Sequence, residues 1–109
     1  MISTDKITPL LQQSFKECSL PLKGKQSGKV RDWYSLSSGR RLIITTDRLS
    51  AFDRILTAIP YKGQVLNQLS NWWFELTRDI IPNHIISTPD PNAIVVQEVT
   101  PVMVEVIVR

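Results

Sequence analysis

At 109 residues, 42% hydrophobic and 21% charged, the chain has the make-up of one globular domain or part of one. Disordered and collagen-like classes are excluded, and no apolar run reaches the roughly 20 residues that span a bilayer. The net charge of +3 is unevenly spread: residues 1–31 set six cations against Asp5 and Glu17, whereas residues 32–109 come to −1.

The first residues carry no charged start, apolar stretch and small-residue cleavage site of a secretory signal. Thr4-Asp5 offers a helix start, and Ile7, Leu10, Leu11 and Phe15 recur at helical spacing, so a short helix is predicted over 5–18 with Pro9 in its first turn. Cys18 lies at its end. A lone cysteine makes no internal disulfide, packs best as a small hydrophobe and suits a reducing, cytoplasmic setting. Residues 21–28 read as a basic, glycine-containing loop. Lys23 to Arg31 holds four cations and no acid, which suggests an anionic neighbour.

Val30 to Leu36 and Arg41 to Thr46 read as two strands joined by a Ser37-Ser38-Gly39 hairpin turn. A polar loop is predicted from Asp47 to Arg54, followed by the apolar run Ile55–Ile59 and the punctuation of Pro60 and Gly63. Val65, Leu66, Leu69, Trp72, Trp73 and Leu76 then mark the clearest amphipathic helix, ended by Pro82. Residues 88–92 (TPDPN) are predicted as a rigid loop, and Ala93–Val99 and Val102–Val108 as two further strands. A near-continuous apolar strand usually lies in a sheet covered on both faces. With one good helix to cover anything, the expectation is a piece of a larger domain.

Five sets of residues are candidates to carry chemistry. In Gly28-Lys29-Val30-Arg31-Asp32, strand alternation sends Lys29 and Arg31 to one face beside a glycine. That arrangement suits a polyphosphate, and equally an ordinary solvated edge strand. Thr46 to Asp53 packs Asp47, Arg48, Ser50 and Asp53 after a buried-looking strand. Either Asp47 and Asp53 hold a cation or orient a substrate, or Asp47 caps a turn and Arg48 pairs with an acid. Trp72 and Trp73 fall on the helix stripe, which favours core packing over base stacking. His84 has no nearby nucleophile and is assigned a local hydrogen-bonding role. Glu105 and Arg109 share a strand face, where charge among apolar residues calls for a partner or a ligand.

Taken together, these stretches resemble one family, the phosphoribosylaminoimidazole-succinocarboxamide synthases, or SAICAR synthetases, of purine biosynthesis. The resemblance rests on Gly28 to Tyr34, Thr46 to Asp53, Ile59 to Gly63, the Asn67/Leu69–Phe74 helix, Asn83-His84 and Val104 to Arg109. They stand in the family's order and spacing across residues 27–109. The resemblance implies an α+β fold: an antiparallel sheet with a glycine loop and one main packed helix, like the small lobe of an ATP-grasp-like nucleotide-binding fold. Residues 1–26 would be an N-terminal helix and basic linker, and 27–109 a nucleotide-binding domain truncated at its C-terminus.

The resemblance also implies a ligase that uses ATP and magnesium to join L-aspartate to the carboxylate of carboxyaminoimidazole ribonucleotide. The carboxylate is activated by phosphorylation, and the aspartate amine then displaces phosphate. By position, Gly28, Lys29, Val30 and Arg31 would meet the ATP phosphates, and Gln97 to Thr100, with Val99 nearest, the adenine. Arg109 would grip the ribonucleotide phosphate, Ser50 and Asp53 would line the substrate side with Asp53 near magnesium, and Glu105 would approach the reacting carboxylate. Met103 departs from the family's proline, and the family's later substrate loop and metal-binding carboxylates are not in this sequence. The expectation is therefore a fragment inactive by itself, with small-molecule substrates and neither nucleic acid nor membrane as partner. The alternative is a free-standing nucleotide- or phosphate-binding module without catalysis.

Overall fold

Pro9 decides how the N-terminal helix ends. The computed structural model describes residues 3–109, and the side chains of Ile7 and Leu11, part of the expected helical stripe, lie outside that description. In place of one helix over 5–18, a single turn, α1 (Thr4–Ile7), passes into a 3-10 segment over Thr8–Gln13. A proline cannot donate its nitrogen and its ring crowds the preceding turn, so the regular ladder stops. Beyond it, carboxylates of the sheet take the amides that a longer helix would have used. Phe15 N–H donates to Asp47 Oδ2 at 2.8 Å, and Cys18 N–H to Asp32 Oδ2 at 3.3 Å.

The strands are β1 (Lys25–Ser27), β2 (Arg31–Leu36), β3 (Arg40–Thr45), β4 (Arg48–Ala51), β5 (Arg54–Ala58), β6 (Ile85–Asp90) and β7 (Ala93–Gln97); α2 (Lys62–Leu76) is the one long helix. Five of them form a sheet in the order β1-β2-β3-β7-β6, all antiparallel, while β4 and β5 pair separately. This is the expected α+β class with an antiparallel sheet and one main helix.

Four segments depart from expectation. Residues 25–27, read as part of the basic loop 21–28, form β1, because Lys25, Gln26 and Ser27 pair with Tyr34, Trp33 and Asp32 of β2. The polar stretch 47–54 is not a loop but the greater part of the β4–β5 hairpin, whose two-residue turn holds Phe52 and Asp53 at φ of 52° and 61°. Such turns need left-handed residues, which the sequence supplies without glycine. Residues 88–90, read as loop, belong to β6; Pro89 is tolerated because β6 is an edge strand with one neighbour. Conversely, Val102–Val108 forms no strand. It has no pairing partner among the described residues, and Val102, Met103, Val106 and Val108 are each more than four-fifths exposed.

Strand alternation divides the sheet into two faces. Asp32↔Ile44, Tyr34↔Leu42 and Ile44↔Ala93 pair on one of them. There Tyr34, Ile44 and Ala93 make the core, with Phe15, Cys18 and Leu42 packed against it. Cys18 thus packs as a small hydrophobe, although from an extended segment rather than a helix. The N-terminal segment is tied over this face, Leu20 N–H donating to the Tyr34 hydroxyl at 3.2 Å.

The other face, with Thr45, Ile43 and Ile94, meets α2 across a cavity. The helix was legible, but its inward side was not. Gly63 and Asn67 are its buried residues, whereas Trp72 and Trp73 are 55% and 53% exposed, against the expectation of core packing. Gly63 lies so near β3 that a Cβ would stand 2.5 Å from Thr45 O and 2.6 Å from Thr46 O. Asn67 Nδ2 donates to Pro91 O at 2.9 Å. Backbone approach and amide hydrogen bonding, not hydrophobic spacing, set the helix's rotation.

Candidate functional site

The loop between β1 and β2 is organised from below by the end of β3. Thr46 is fully buried; its N–H and its hydroxyl both donate to Val30 O, at 3.0 and 2.7 Å. Arg48 reaches the same loop with its guanidinium. Nε donates to Lys29 O at 2.9 Å, Nη2 to Gly28 O at 3.2 Å, and Nη1 to Lys16 O at 2.7 Å. Three consecutive carbonyls, Gly28 to Val30, are therefore drawn to one side. Gly28 N–H closes the turn on Arg31 O at 2.7 Å, while the Lys29 and Val30 amides donate no hydrogen bond among the described residues. Unpaired successive amides beside cations form the kind of concavity that takes anions.

Arg48 is itself held by Asp32, whose side chain is wholly buried and accepts from Nη2 at 2.9 Å. Burial alone would raise the Asp32 carboxyl. Hydrogen bonds from Arg48, Ser27 and the Cys18 amide, with the Arg48 charge, outweigh it and hold the pKa below its ordinary value. Of the structural alternatives, Arg48 does pair with an acid. The local turn amide of Arg48 goes to the Thr46 hydroxyl at 3.3 Å, whereas the residue that caps the distant start of α2 is Asp47. Its carboxylate accepts Gly63 N–H at 2.8 Å and Tyr61 N–H at 3.2 Å at the start of α2, besides that of Phe15.

At Gly28 a side chain would meet the sheet itself. The glycine's φ is not left-handed; the constraint is Trp33, whose ring would lie 3.2 Å from an added Cβ and whose Nε1 donates to Gln26 Oε1 at 2.8 Å. Lys29 is half exposed and forms an ion pair with Asp53 at the tip of the β4–β5 hairpin. That hydrogen bond and charge lower the Asp53 pKa. Val30 and Arg31 line the cavity of about 230 Å³ between sheet and α2, which Lys62, Ser70 and His84 also border. His84 stacks edge-on against Phe74 at 5.5 Å, and its carbonyl accepts Gln97 N–H at 2.8 Å.

The structure thus brings Gly28, Lys29, Val30, Arg31 and Asp53 together. Ser50 is half-buried beside the irregularity in β4. Gln97 and Val99 lie at the other end of the sheet, where Gln97 Nε2 and the Glu98 amide both donate to Gly39 O, at 3.0 and 2.8 Å. Glu105 and Arg109 sit exposed in the irregular segment after β7, apart from the loop's hydrogen-bond network. The donor set fits a polyphosphate. It does not fit a divalent cation by itself: no three acidic, imidazole or thiol groups cluster among the described residues, Asp47 is buried and takes three amides, and Asp53 is engaged by Lys29.

The family model described as SAICAR synthetase matches residues 25–109. A phosphoribosylaminoimidazole-succinocarboxamide synthase of Legionella pneumophila is 53% identical over 93 residues, 85% of this chain and 30% of its own length. The chloroplastic synthase of Arabidopsis thaliana is 44% identical over 106 residues, 96% of this chain and 26% of its own. In structure, the SAICAR synthase of Saccharomyces cerevisiae complexed with SAICAR superposes with a TM-score of 0.62 at 30% identity, covering 72% of this chain and 33% of that one. A type-2 SAICAR synthetase in complex with ADP shares the fold, with a TM-score of 0.63 at 23% identity. The chain spans about a third or less of these relatives' length, and it belongs to the SAICAR synthetase family.

Proposed function

We propose that the chain supplies the nucleotide-binding part of an ATP-dependent ligase, which joins L-aspartate to the carboxylate of carboxyaminoimidazole ribonucleotide. The observation that carries this is the Gly28–Arg31 loop, with its carbonyls drawn inward and the Lys29 and Val30 amides unpaired between the Lys29 and Arg31 side chains. In this reading residues 1–26 lead into a nucleotide-binding unit over 27–109. Lys29 exchanges Asp53 for phosphate, and Arg31 faces the same polyphosphate from the cavity wall. The adenine lies against Gln97–Val99. In support, β7 ends beside Arg40 and so level with Leu36 across β3, while the loop precedes Arg31; the two ends stand ~17 Å apart along the strand direction, suiting an extended nucleoside triphosphate.

On the acceptor side, Ser50 and Asp53 line the approach, Glu105 meets the reacting carboxylate and Arg109 forks onto the ribonucleotide phosphate. Magnesium, where bound, would be held chiefly by the polyphosphate and would offset its charge, with Asp53 the candidate carboxylate of this chain once Lys29 releases it. A cytoplasmic setting suits the free Cys18 thiol.

Calorimetric titration of the chain with ADP tests the reading. Saturable binding is expected, weakened about tenfold or more by Lys29→Ala, since one charge-assisted contact to phosphate is lost. Absence of saturation in a folded chain, or unchanged affinity in Lys29→Ala, would refute it.

A further inference from the structure

We propose that Arg48 is a positioning residue for the phosphate loop: its guanidinium turns the Gly28 and Lys29 carbonyls inward, so that the loop presents N–H groups to an incoming phosphate. This rests on the nucleotide reading above. A peptide unit carries its negative end on oxygen, and a single carbonyl facing a phosphate would repel it. Two of the three consecutive carbonyls that would otherwise be free to turn outward are bound by one side chain, Gly28 O by Nη2 and Lys29 O by Nε; the third, Val30 O, is bound by Thr46.

Arg48 does not itself meet the ligand. Four acceptors, Gly28 O, Lys29 O, Lys16 O and Asp32 Oδ1, occupy four of its five N–H groups, and its side chain is only 12% exposed. Asp32, fully buried, fixes the guanidinium plane from beneath. The arrangement calls for arginine specifically. A lysine ammonium keeps the charge opposite Asp32 but lacks the planar fork that spans two neighbouring carbonyls.

The test compares Arg48→Met and Arg48→Lys with the wild-type chain by amide hydrogen exchange and by ADP titration. The Gly28 amide, bonded to Arg31 O, reports whether the loop is closed; the Ile44 amide reports the core. In both variants Gly28 is expected to exchange about tenfold or more faster with Ile44 unchanged, and ADP affinity to fall by a similar factor. Arg48→Lys leaves Asp32 paired, and it decides the matter if Arg48→Met loses Ile44 protection. Wild-type protection at Gly28 and wild-type ADP affinity in Arg48→Lys would overturn the proposal, showing that charge alone suffices. If the wild-type chain bound no ADP, the nucleotide reading would fall on that result. Gly28 exchange, measured without nucleotide, would still show whether Arg48 orders the loop, and unchanged exchange would overturn that role.

Discussion

Asp32 and Asp47 are both buried carboxylates, and each accepts hydrogen bonds from backbone or guanidinium donors. Asp32 makes stability depend on pH. Its folded pKa lies below its ordinary 3.8, so its contribution is complete above that value and is lost as pH falls through the folded value. Urea denaturation at pH 7, 5 and 3 should show a drop in midpoint on the acid side that shrinks in Asp32→Asn, which is less stable at neutral pH. An identical acid drop in both proteins would show that Asp32 is not linked to folding. Arg31 was legible because strand alternation sets it on the face opposite Asp32, whereas Lys29 lies in the β1–β2 loop, where alternation does not apply. Arg48's partners were not legible, because carbonyls of residues 16, 28 and 29 carry no side-chain signature and only the fold gathers them.

Helix α2 was readable as a helix from its apolar period, yet that period misplaces its inward side. What seats it is Gly63 on the β3 backbone, the Asp47 carboxylate at its first amides and Asn67 on Pro91. Gly63→Ala should therefore cost about 1–3 kcal/mol, as overpacking against atoms that cannot rotate away. Helix propensity alone would give a gain of about 1 kcal/mol, so a rise in urea midpoint would refute the packing argument. The β4–β5 hairpin escaped sequence reading for a related reason. Phe52-Asp53 lacks the Asn-Gly signal of a tight turn, and tertiary pairing, including Asp53 with Lys29, holds both residues in the left-handed region. Pro89 hid an edge strand in the same way, since a strand with a single neighbour tolerates a missing donor.

Across the molecule, the buried apolar core is small while apolar side chains of α2 and of residues 99–108 are widely exposed. Contiguous apolar surface of this kind binds amphiphilic dyes and other copies of itself. The chain is expected to enhance anilinonaphthalene sulfonate fluorescence and to sediment faster as concentration rises. Leu69→Lys with Trp72→Lys should reduce both with little change in urea midpoint, because both side chains are half exposed. Dye fluorescence unchanged by that pair would locate the exposed surface elsewhere. The sequence-based expectation of a buried stripe failed here because hydrophobic spacing reports what a face can be packed against, and the described residues supply nothing to pack against it.

The sheet order also bears on synthesis. Ile44 pairs with Ala93, which follows it by about 50 residues, so β3 leaves the ribosome roughly 3–10 s before β7 can join it. During that interval β1, β2 and β3 can close as local hairpins, but β3, with its β-branched run Ile43–Thr45, presents an open edge. Translation speed between codons 45 and 93, as much as the finished contacts, then sets how often the nascent sheet is completed by its own chain rather than by another.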